Sequence, residues 1–239
     1  MSLRDALATP DSKRRYVRTL FATIAARYDL ITVLLSFGMD RRWKRRVVDL
    51  SGVTPGARAL DLATGTGDLA FQLARRSARV IGLDITPAMV AIADAKPRHG
   101  APIRFVVGDM MALPLPDASV DLVTTGYGLR NVPDLAGALD EMLRVLAPGG
   151  RAVSLDFDRP SRPWLCAVYL WYLSVVGGAL GRALHGDPDT YRYIPASIRV
   201  YPGGEAVARL MAARGFVKVA HYPVLGGLMA IHCGEKPWT

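Results

Sequence analysis

The chain has only two cysteines among its 239 residues, Cys166 and Cys233, and they lie far apart. It also has no Cys-x-x-Cys pair and no Cys/His cluster, so we expect neither a disulfide framework nor a bound metal. Chains without disulfides are typical of reducing compartments, which makes the cytoplasm the expected location. The first fifteen residues lack an apolar core, so we expect no secretory signal.

Acidic residues are scarce, since 21 Asp and Glu stand against 30 Lys and Arg, a formal net charge of +9. This balance suits an anionic partner, either nucleic acid or a membrane surface. Much of the charge lies in two clusters, residues 13–15 and 41–46, which solvated helix faces explain equally well. We expect residues 1–15 to form a flexible basic tail ahead of a single domain at 16–239.

One segment lacks charge altogether. Residues 163–181 contain no Asp, Glu, Lys or Arg, and the apolar run inside them is at the lower edge of transmembrane length. A helix that is apolar on all sides is buried in protein or bound to a membrane. We expect residues 163–200 to form an insertion that covers an apolar pocket or inserts into a surface. A true membrane span is the less favoured alternative.

The most informative motif follows a short apolar run at residues 59–63. Gly65 and Gly67 permit backbone conformations that side chains forbid, and they leave room for a ligand against the main chain. Asp68 then suits the free N–H groups of a helix start. The next apolar run ends in Asp84, nineteen residues after Gly65, close to the ~20-residue offset at which an acidic residue meets ribose hydroxyls in nucleotide-binding folds.

These glycines also fit the dinucleotide pattern G-x-G-x-x-G/A, which is weak by itself. Two further carboxylates favour S-adenosylmethionine over NAD as the cofactor. Asp61 lies inside the first strand, where it could pair with a cationic amino group, and Asp109 follows the third strand. Carboxylates repel a pyrophosphate, whereas a zwitterion that carries a sulfonium tolerates them.

Strands and helices alternate through the middle of the chain. The strand-like runs are 57–62, 79–84, 103–107, 120–125 and 151–157, and the helix-like runs between them are 67–76, 87–95 and 134–146. This alternation predicts an α/β fold with a doubly wound, mostly parallel sheet. A helix at 203–214 and strands at 216–223 and 227–233 predict a C-terminal antiparallel hairpin, for seven strands in all. Helices at 16–36 and 40–50 precede the sheet.

Several motifs resemble those of the UbiE-type ubiquinone/menaquinone biosynthesis C-methyltransferases. The glycine turn at 60–68 and Pro148-Gly-Gly are shared by many methyltransferases. More specific to this family are Ser-Phe-Gly at 36–38, Gly-Leu-Arg-Asn-Val at 128–132 and Tyr-Arg-Tyr at 191–193. The resemblance covers about residues 16–237. It implies a Rossmann-like class I methyltransferase that transfers a methyl group from S-adenosylmethionine to a ring carbon of a polyprenylated quinol, in one branch demethylmenaquinol.

Site residues follow from the motifs and the resemblance together. The residues assigned to the cofactor are Asp61, Gly65, Thr66, Gly67, Asp84, Ile85, Asp109, Met110 and Gly126. Gly126 departs from the serine that the family often has, so only backbone could bind there. Asp109 stands where many members have asparagine, and it suits the adenine amino group as an acceptor.

The resemblance also places Arg130 and Asn131 beside the quinol ring and Tyr28 over the cofactor. A guanidinium stays protonated, so Arg130 is expected to stabilise a phenolate, directly or through a water, rather than act as the base. His185 and Asp189, in the expected loop after the apolar segment, are candidate proton acceptors, although a solvated polar loop explains them equally well.

The lipophilic substrate implies contact with the inner face of the plasma membrane, and a homodimer is left open. One alternative is a methyltransferase for another lipophile, such as a phospholipid amine, a sterol or a polyketide. A nucleic-acid methyltransferase fits the charge, but the Asn-Pro-Pro-Tyr and catalytic-cysteine motifs are missing, so we expect no nucleic acid partner. A non-catalytic subunit fits poorly with intact Asp61 and Asp84.

Overall fold

A computed structural model describes residues 9–36, 38–76, 78–160, 162–187 and 189–238, without the side chain of Asp189. Three helices precede the sheet: α1 (Pro10–Ile24), α2 (Tyr28–Leu35) and α3 (Asp40–Ser51), with a 3-10 turn at Ala25–Arg27. Thr9 and Ser12 form a reciprocal capping box at the start of α1, and Pro10 is its first residue. Residues 10–15 are therefore helical, and the prediction of a flexible tail is wrong for them. Residues 1–8 of that tail lie outside the described residues.

The described residues form one seven-stranded sheet with the order β3-β2-β1-β4-β5-β7-β6. Its strands are β1 (Arg58–Leu62), β2 (Arg79–Asp84), β3 (Ile103–Val107), β4 (Val120–Gly126), β5 (Leu146–Phe157), β6 (Val217–Val224) and β7 (Met229–Glu235). The first five pair in parallel, and β7 is antiparallel to both β5 and β6. The predicted doubly wound sheet with a terminal hairpin is confirmed. β5 begins at Leu146 rather than at residue 151, and its register against β4 shifts between Val120 and Leu122.

Helices cover both faces of this sheet. They include α4 (Asp68–Ala74), α5 (Pro87–Ala95), α6 (Leu135–Val145) and α9 (Gly204–Ala213). Successive strand residues point to opposite faces, so Ala59 joins a core that includes Val47 and Leu73, whereas Leu60 joins one that includes Leu139. Because both faces are covered, the parallel strands are mostly apolar, as is typical of parallel sheets.

The predicted insertion consists of two helices between β5 and α9, which are α7 (Pro163–His185) and α8 (Asp189–Val200). α8 continues through Pro195. His185 ends α7 and Asp189 begins α8, so these two residues flank a shorter loop than the sequence predicted. Leu170 and Leu173 of α7 bury their side chains against Ile198 of α8, which holds the pair together.

Candidate functional site

The turn between β1 and α4 is shaped by residues with positive φ. Gly65 and Gly67 have φ of 55° and 89°, and Ala63 adopts 49° although it carries a side chain. A Cβ on Gly67 would lie 2.8 Å from the Phe105 ring, so this glycine is required by both conformation and space. A left-handed non-glycine residue such as Ala63 stores strain of the kind that collects at functional sites.

Asp84 ends β2, and its side chain stabilises this turn by hydrogen bonds. Its carboxylate accepts the N–H of Gly65 at 2.9 Å and the N–H of Thr86 at 2.8 Å. The side chain is buried, and burial raises the pKa of Asp84. Each carboxylate oxygen can still accept a second hydrogen bond. A ligand with hydroxyl groups, bound above the turn, could donate these remaining hydrogen bonds to Asp84.

Six of the nine residues assigned to the cofactor line one pocket above this turn. They are Gly65, Asp84, Ile85, Asp109, Met110 and Gly126. A Cβ on Gly126 would come within 3.1 Å of the Leu69 side chain, which gives a steric reason for glycine at this position. The residues predicted from the sequence, which follow or end β1, β2 and β4 among other strands, therefore lie together in one pocket.

Helix α1 covers this pocket. Arg14, Val17 and Phe21 line it, and the Arg14 guanidinium lies 3.1 Å from the Asp109 carboxylate. The Lys13 ammonium donates to the carbonyl oxygens of Arg130 at 3.1 Å and Val132 at 2.5 Å. Burial, with a smaller contribution from Arg130, lowers the pKa of Lys13 to about 8. Part of the first basic cluster thus contacts the domain, with Arg14 bordering the pocket although its side chain is half-exposed.

Asp61 lies in a small polar cavity beside the pocket. Its two oxygens accept the hydroxyls of Thr64 at 2.6 Å and Thr124 at 2.7 Å. Burial raises the pKa of Asp61 to about 6. Thr66 lines this cavity too, but its hydroxyl donates to Asp29. Of the residues assigned to the cofactor, Asp61 and Thr66 therefore lie beside the main pocket, and Gly67 lines neither cavity.

Lys44 connects this region to α3. Its ammonium lies 2.7 Å from Asp40 and 2.9 Å from Asp68, and Asp40 also accepts the hydroxyl of Tyr127 at 2.7 Å. The opposite charges raise the pKa of Lys44 against the effect of burial. Lys44 is therefore a structural residue, while its neighbours Arg42 and Arg45 are exposed.

A larger cavity of about 360 Å³ adjoins the pocket. The two share Phe21, Tyr28 and Tyr127 as a common wall. Burial raises the pKa of Tyr28 to about 12, so its hydroxyl stays protonated at neutral pH. The residues that line the cavity are apolar, aromatic or hydroxyl-bearing, with Arg130 as the exception among the described residues. An apolar ligand with one anionic atom would fit this composition.

Arg130 is buried in a 3-10 turn and held from several sides. Its Nε lies 3.3 Å from Oδ1 of Asp156, and its backbone N–H donates to Oδ2 at 2.9 Å. The guanidinium also donates to Ser197 and lies 5.0 Å from the Phe157 ring centroid. Asp156 ends β5 next to Phe157, and burial raises its pKa while Arg130 opposes the rise. The cation is thus fixed at the wall of the cavity.

Asn131 lies on the other side of the same turn. Its amide nitrogen donates to the carbonyl oxygen of Tyr127 at 2.8 Å, and its amide oxygen accepts the Tyr193 hydroxyl at 3.0 Å. Asn131 lines the cofactor pocket rather than the apolar cavity. Its side chain therefore braces Tyr127 within the shared wall.

Residues 9–236 match the sequence model of the ubiE/COQ5 methyltransferase family. The chain is similar to a demethylmenaquinone methyltransferase of Thermus thermophilus, 46% identical over 221 residues that cover 91% of this chain and 100% of that protein. The chain belongs to the ubiE/COQ5 methyltransferase family. The ubiquinone/menaquinone biosynthesis C-methyltransferase UbiE of Azotobacter vinelandii is 41% identical over 237 residues, 96% of this chain and 94% of that protein.

Membership in the family confirms the predicted enzyme class, a methyltransferase that uses S-adenosylmethionine. Solved structures agree on the fold. A methyltransferase in complex with the Haloferax volcanii Trm112 activator has a TM-score of 0.66 at 20% identity and covers 91% of this chain and 97% of its own. A Thermotoga maritima S-adenosylmethionine-dependent methyltransferase has a TM-score of 0.65 at 20% identity. The match covers 92% of this chain and 99% of that one.

The residues present fit this methyl donor. Neither Asp61 nor Asp84 has a cation within ion-pair distance among the described residues, although both carboxylates are buried. Buried carboxylates without a cationic partner are costly, so a ligand that brings positive charge and hydroxyl donors would relieve both. This pair of carboxylates supports the family cofactor on structural grounds.

Of the two predicted proton acceptors, His185 does not face the cavity. The Nε2 atom of His185 lies 2.9 Å from the Tyr191 hydroxyl, and His185 itself lines neither cavity. Tyr191 lines the apolar cavity, so His185 reaches it only through that ring. The side chain of Asp189 lies outside the described residues. Of the three residues assigned by the family resemblance, Arg130 and Tyr28 line the apolar cavity, whereas Asn131, expected beside the quinol ring, lines the neighbouring pocket.

Sequence reasoning missed Asp156, Ser197 and the cover formed by α1. Asp156 could have been found, because it closes a strand as Asp84 does, and carboxylates at strand ends were already the criterion for the site. The start of α1 could also have been predicted from the sequence, because Thr9 and Ser12 form a capping box and Pro10 is the first residue of the helix. Ser197 contacts Arg130 only through the tertiary fold.

Proposed function

We propose that this family member transfers a methyl group from S-adenosylmethionine to a ring carbon of a polyprenylated quinol, with demethylmenaquinol as the best-supported substrate. The observation that carries the proposal is the wall shared by the two cavities, which contains Tyr28 and Tyr127. One side offers buried carboxylates, and the other offers an apolar cavity in which Arg130 is the cation among the described lining residues. The name of the Thermus relative supports a naphthoquinol.

Residues of the pocket would hold the donor as follows. Asp84 accepts the ribose hydroxyls, and Asp61 pairs with the amino group of the methionine part. Asp109 and Met110 border the adenine, with Asp109 released from Arg14 when it accepts the adenine amino group. Gly126 offers backbone only. When bound, S-adenosylmethionine supplies a methyl group activated by its sulfonium.

Arg130 would make the quinol ring a better nucleophile. A ring carbon attacks more readily when a ring hydroxyl is deprotonated, and a fixed guanidinium stabilises that oxyanion. The effect is strong in a cavity that excludes water, because the local dielectric is low. Arg130 keeps its proton, so the phenolic proton leaves through a water. The residues that the two cavities share would then border the contact, in which the ring carbon lies within the ~3–3.5 Å of the methyl group that reaction requires. Once the ring carbon carries the methyl group, it loses its hydrogen as a proton and the ring hydroxyl is restored.

The substrate class is tested by a competition between acceptors. Purified protein is incubated with isotope-labelled methyl donor and an equimolar mixture of demethylmenaquinol, a demethyl benzoquinol, a sterol and phosphatidylethanolamine. We expect the label on ring carbon of the naphthoquinol, with weaker labelling of the benzoquinol. Label on the sterol or the phospholipid alone would contradict the proposal and support the alternative lipophile.

We also propose that the enzyme works as a peripheral protein at the cytoplasmic face of the plasma membrane. A polyprenylated quinol resides in the bilayer, so its ring must reach the cavity from there. Exposed arginines of the second basic cluster, such as Arg41, Arg42 and Arg45, suit anionic lipid. The homodimer remains a prediction.

A further inference from the structure

Helix α7 exposes a continuous apolar stripe. Trp164, Val168, Trp171 and Val175 are each between 50% and 66% exposed. Their spacing of four, three and four residues places them on one face of the helix. The opposite face is held by the domain, since Leu170 and Leu173 are buried against α8. The exposed stripe is therefore a fixed surface of the folded protein.

Apolar exposure is concentrated around the larger cavity. Besides α7, two other segments that line the cavity expose large apolar side chains: α2, with Leu30, Val33 and Leu34, and the turn at Leu225. These same three segments line the cavity through Ile31, Val168 and Leu225, among others. Eight of the twelve exposed large hydrophobic residues in the described part of the chain belong to them. We call α2, α7 and the Leu225 turn the mouth surface.

The mouth surface holds few acidic residues. Asp29, the second residue of α2, is paired with Lys96 at 2.9 Å, and residues 30–39, 159–186 and 223–228 contain no Asp or Glu. The second of these segments carries Arg159, Arg162 and Arg182 at the two ends of α7, and Arg162 and Arg182 are exposed. An apolar patch bordered by cations and poor in carboxylates is complementary to an anionic bilayer rather than to a neutral one.

The packing of α7 against α8, rather than its length, distinguishes lying on a membrane from crossing it. The helix is long and apolar enough to span a bilayer, and only 22% of its apolar window is buried in the protein. Crossing would require α7 to leave α8, and it would expose the packing face of Leu173. Exposed tryptophans favour the interface between headgroups and acyl chains. The geometry therefore favours a helix that lies in the plane of the membrane.

We propose that the mouth surface docks on an anionic lipid bilayer, so that the cavity opens into the acyl-chain region and the prenyl tail of the substrate enters from the side without crossing water. This inference rests on the proposed quinol function and adds the surface and the orientation. Val168 and Trp171 both line the cavity and face outward, which places lipid contact and substrate entry at the same spot.

The test uses residues of the mouth surface that do not line the cavity. Trp164 and Val175 meet this condition, so the test variant is Trp164→Ser with Val175→Ser. The matched control is Trp238→Ser with Val217→Ser, two exposed residues outside the surface. Cosedimentation with phosphatidylglycerol/phosphatidylethanolamine vesicles measures binding. We expect the test variant to bind about tenfold or more weakly than wild type, and the control to bind as wild type does.

Equal vesicle binding by the two double variants, or no binding by the wild type, would overturn the proposal. A second copy of the chain is the other occupant to examine, by sedimentation velocity without lipid. A wild-type dimer that the Trp164/Val175 variant converts to monomer would mean that the surface is a protein interface.

An activity arm separates this proposal from the proposed function. We expect the test variant to methylate a water-soluble quinol with one isoprene unit normally and to lose activity on a long-chain quinol in vesicles. Failure of the wild type on the soluble quinol would refute the quinol function, while vesicle binding would still decide the docking surface.

Discussion

Replacing Asp156 by alanine should destabilise the protein severely, because the buried guanidinium of Arg130 would lose its carboxylate partner. Arg130 is 4% exposed and Asp156 1% exposed. Breaking a buried ion pair by removing one partner costs about 3–5 kcal/mol. For a chain of this size each kcal/mol lowers Tm by about 2–4 °C, so Asp156→Ala should unfold about 6–20 °C lower than wild type.

A double-mutant cycle identifies the cause. Arg130→Met added to Asp156→Ala removes the stranded charge, so the double variant should recover most of the loss and lie within about 2 kcal/mol of wild type. Denaturant and thermal unfolding followed by near-UV circular dichroism provide the free energies. Asp156→Ala and the double variant should both lack methyltransferase activity. Recovery of stability without recovery of activity in the double variant would separate the role of this pair in stability from the role of Arg130 in turnover.

Asp121→Ala is the matched control. Asp121 pairs with Arg58 at 2.5 Å, but both side chains are half-exposed, and exposed pairs contribute about 0–1 kcal/mol. Our reasoning would be refuted by a loss below about 1 kcal/mol for Asp156→Ala, or by the absence of coupling between Arg130 and Asp156.

Three further predictions concern the site itself. Asp84→Asn should weaken S-adenosylmethionine binding about 10- to 100-fold by calorimetry, and an unchanged Kd would remove the ribose assignment. Arg130→Lys should lower kcat about 100-fold or more while Kd for the donor stays within about twofold; parallel losses would indicate a folding defect. Since burial raises the pKa of Asp61 to about 6, the free folded protein binds an extra proton there, and its contribution to stability is lost as pH rises from 3.8 through 6. A cationic ligand favours the ionised form, so donor affinity should fall about tenfold per pH unit below pH 6 and be flat above it. Asp61→Asn should abolish this dependence, and a flat wild-type profile would contradict the pairing.

The sheet and the cofactor turn were predictable because local constraints determine them. Each of these features can be recognised in a short stretch of sequence. They are the pattern of the strands, the glycines with positive φ at 65 and 67, and the carboxylate at the end of β2. The same reasoning places Asp84, Asp109 and Gly126 together, since the carboxyl ends of parallel strands meet at one edge of the sheet.

Tertiary contacts determine the rest. Lys44 lies within a run of arginines, yet it is buried, because Asp40 and Asp68 converge on it from two helices. Lys13 belongs to a basic cluster, but its partners are carbonyl oxygens more than a hundred residues away. The pair of Arg130 and Asp156 joins a turn after β4 to the end of β5. Composition cannot distinguish such buried cations from solvated ones.

A structure of the protein with S-adenosylhomocysteine and a short-chain demethylmenaquinol tests the central claim most directly. We predict the ribose on Asp84, the sulfur beside Tyr28 and Tyr127, and the quinol ring against Arg130, with its ring carbon facing the sulfur directly. A quinol ring bound away from Arg130, or a nucleoside bound outside the carboxylate pocket, would contradict the account.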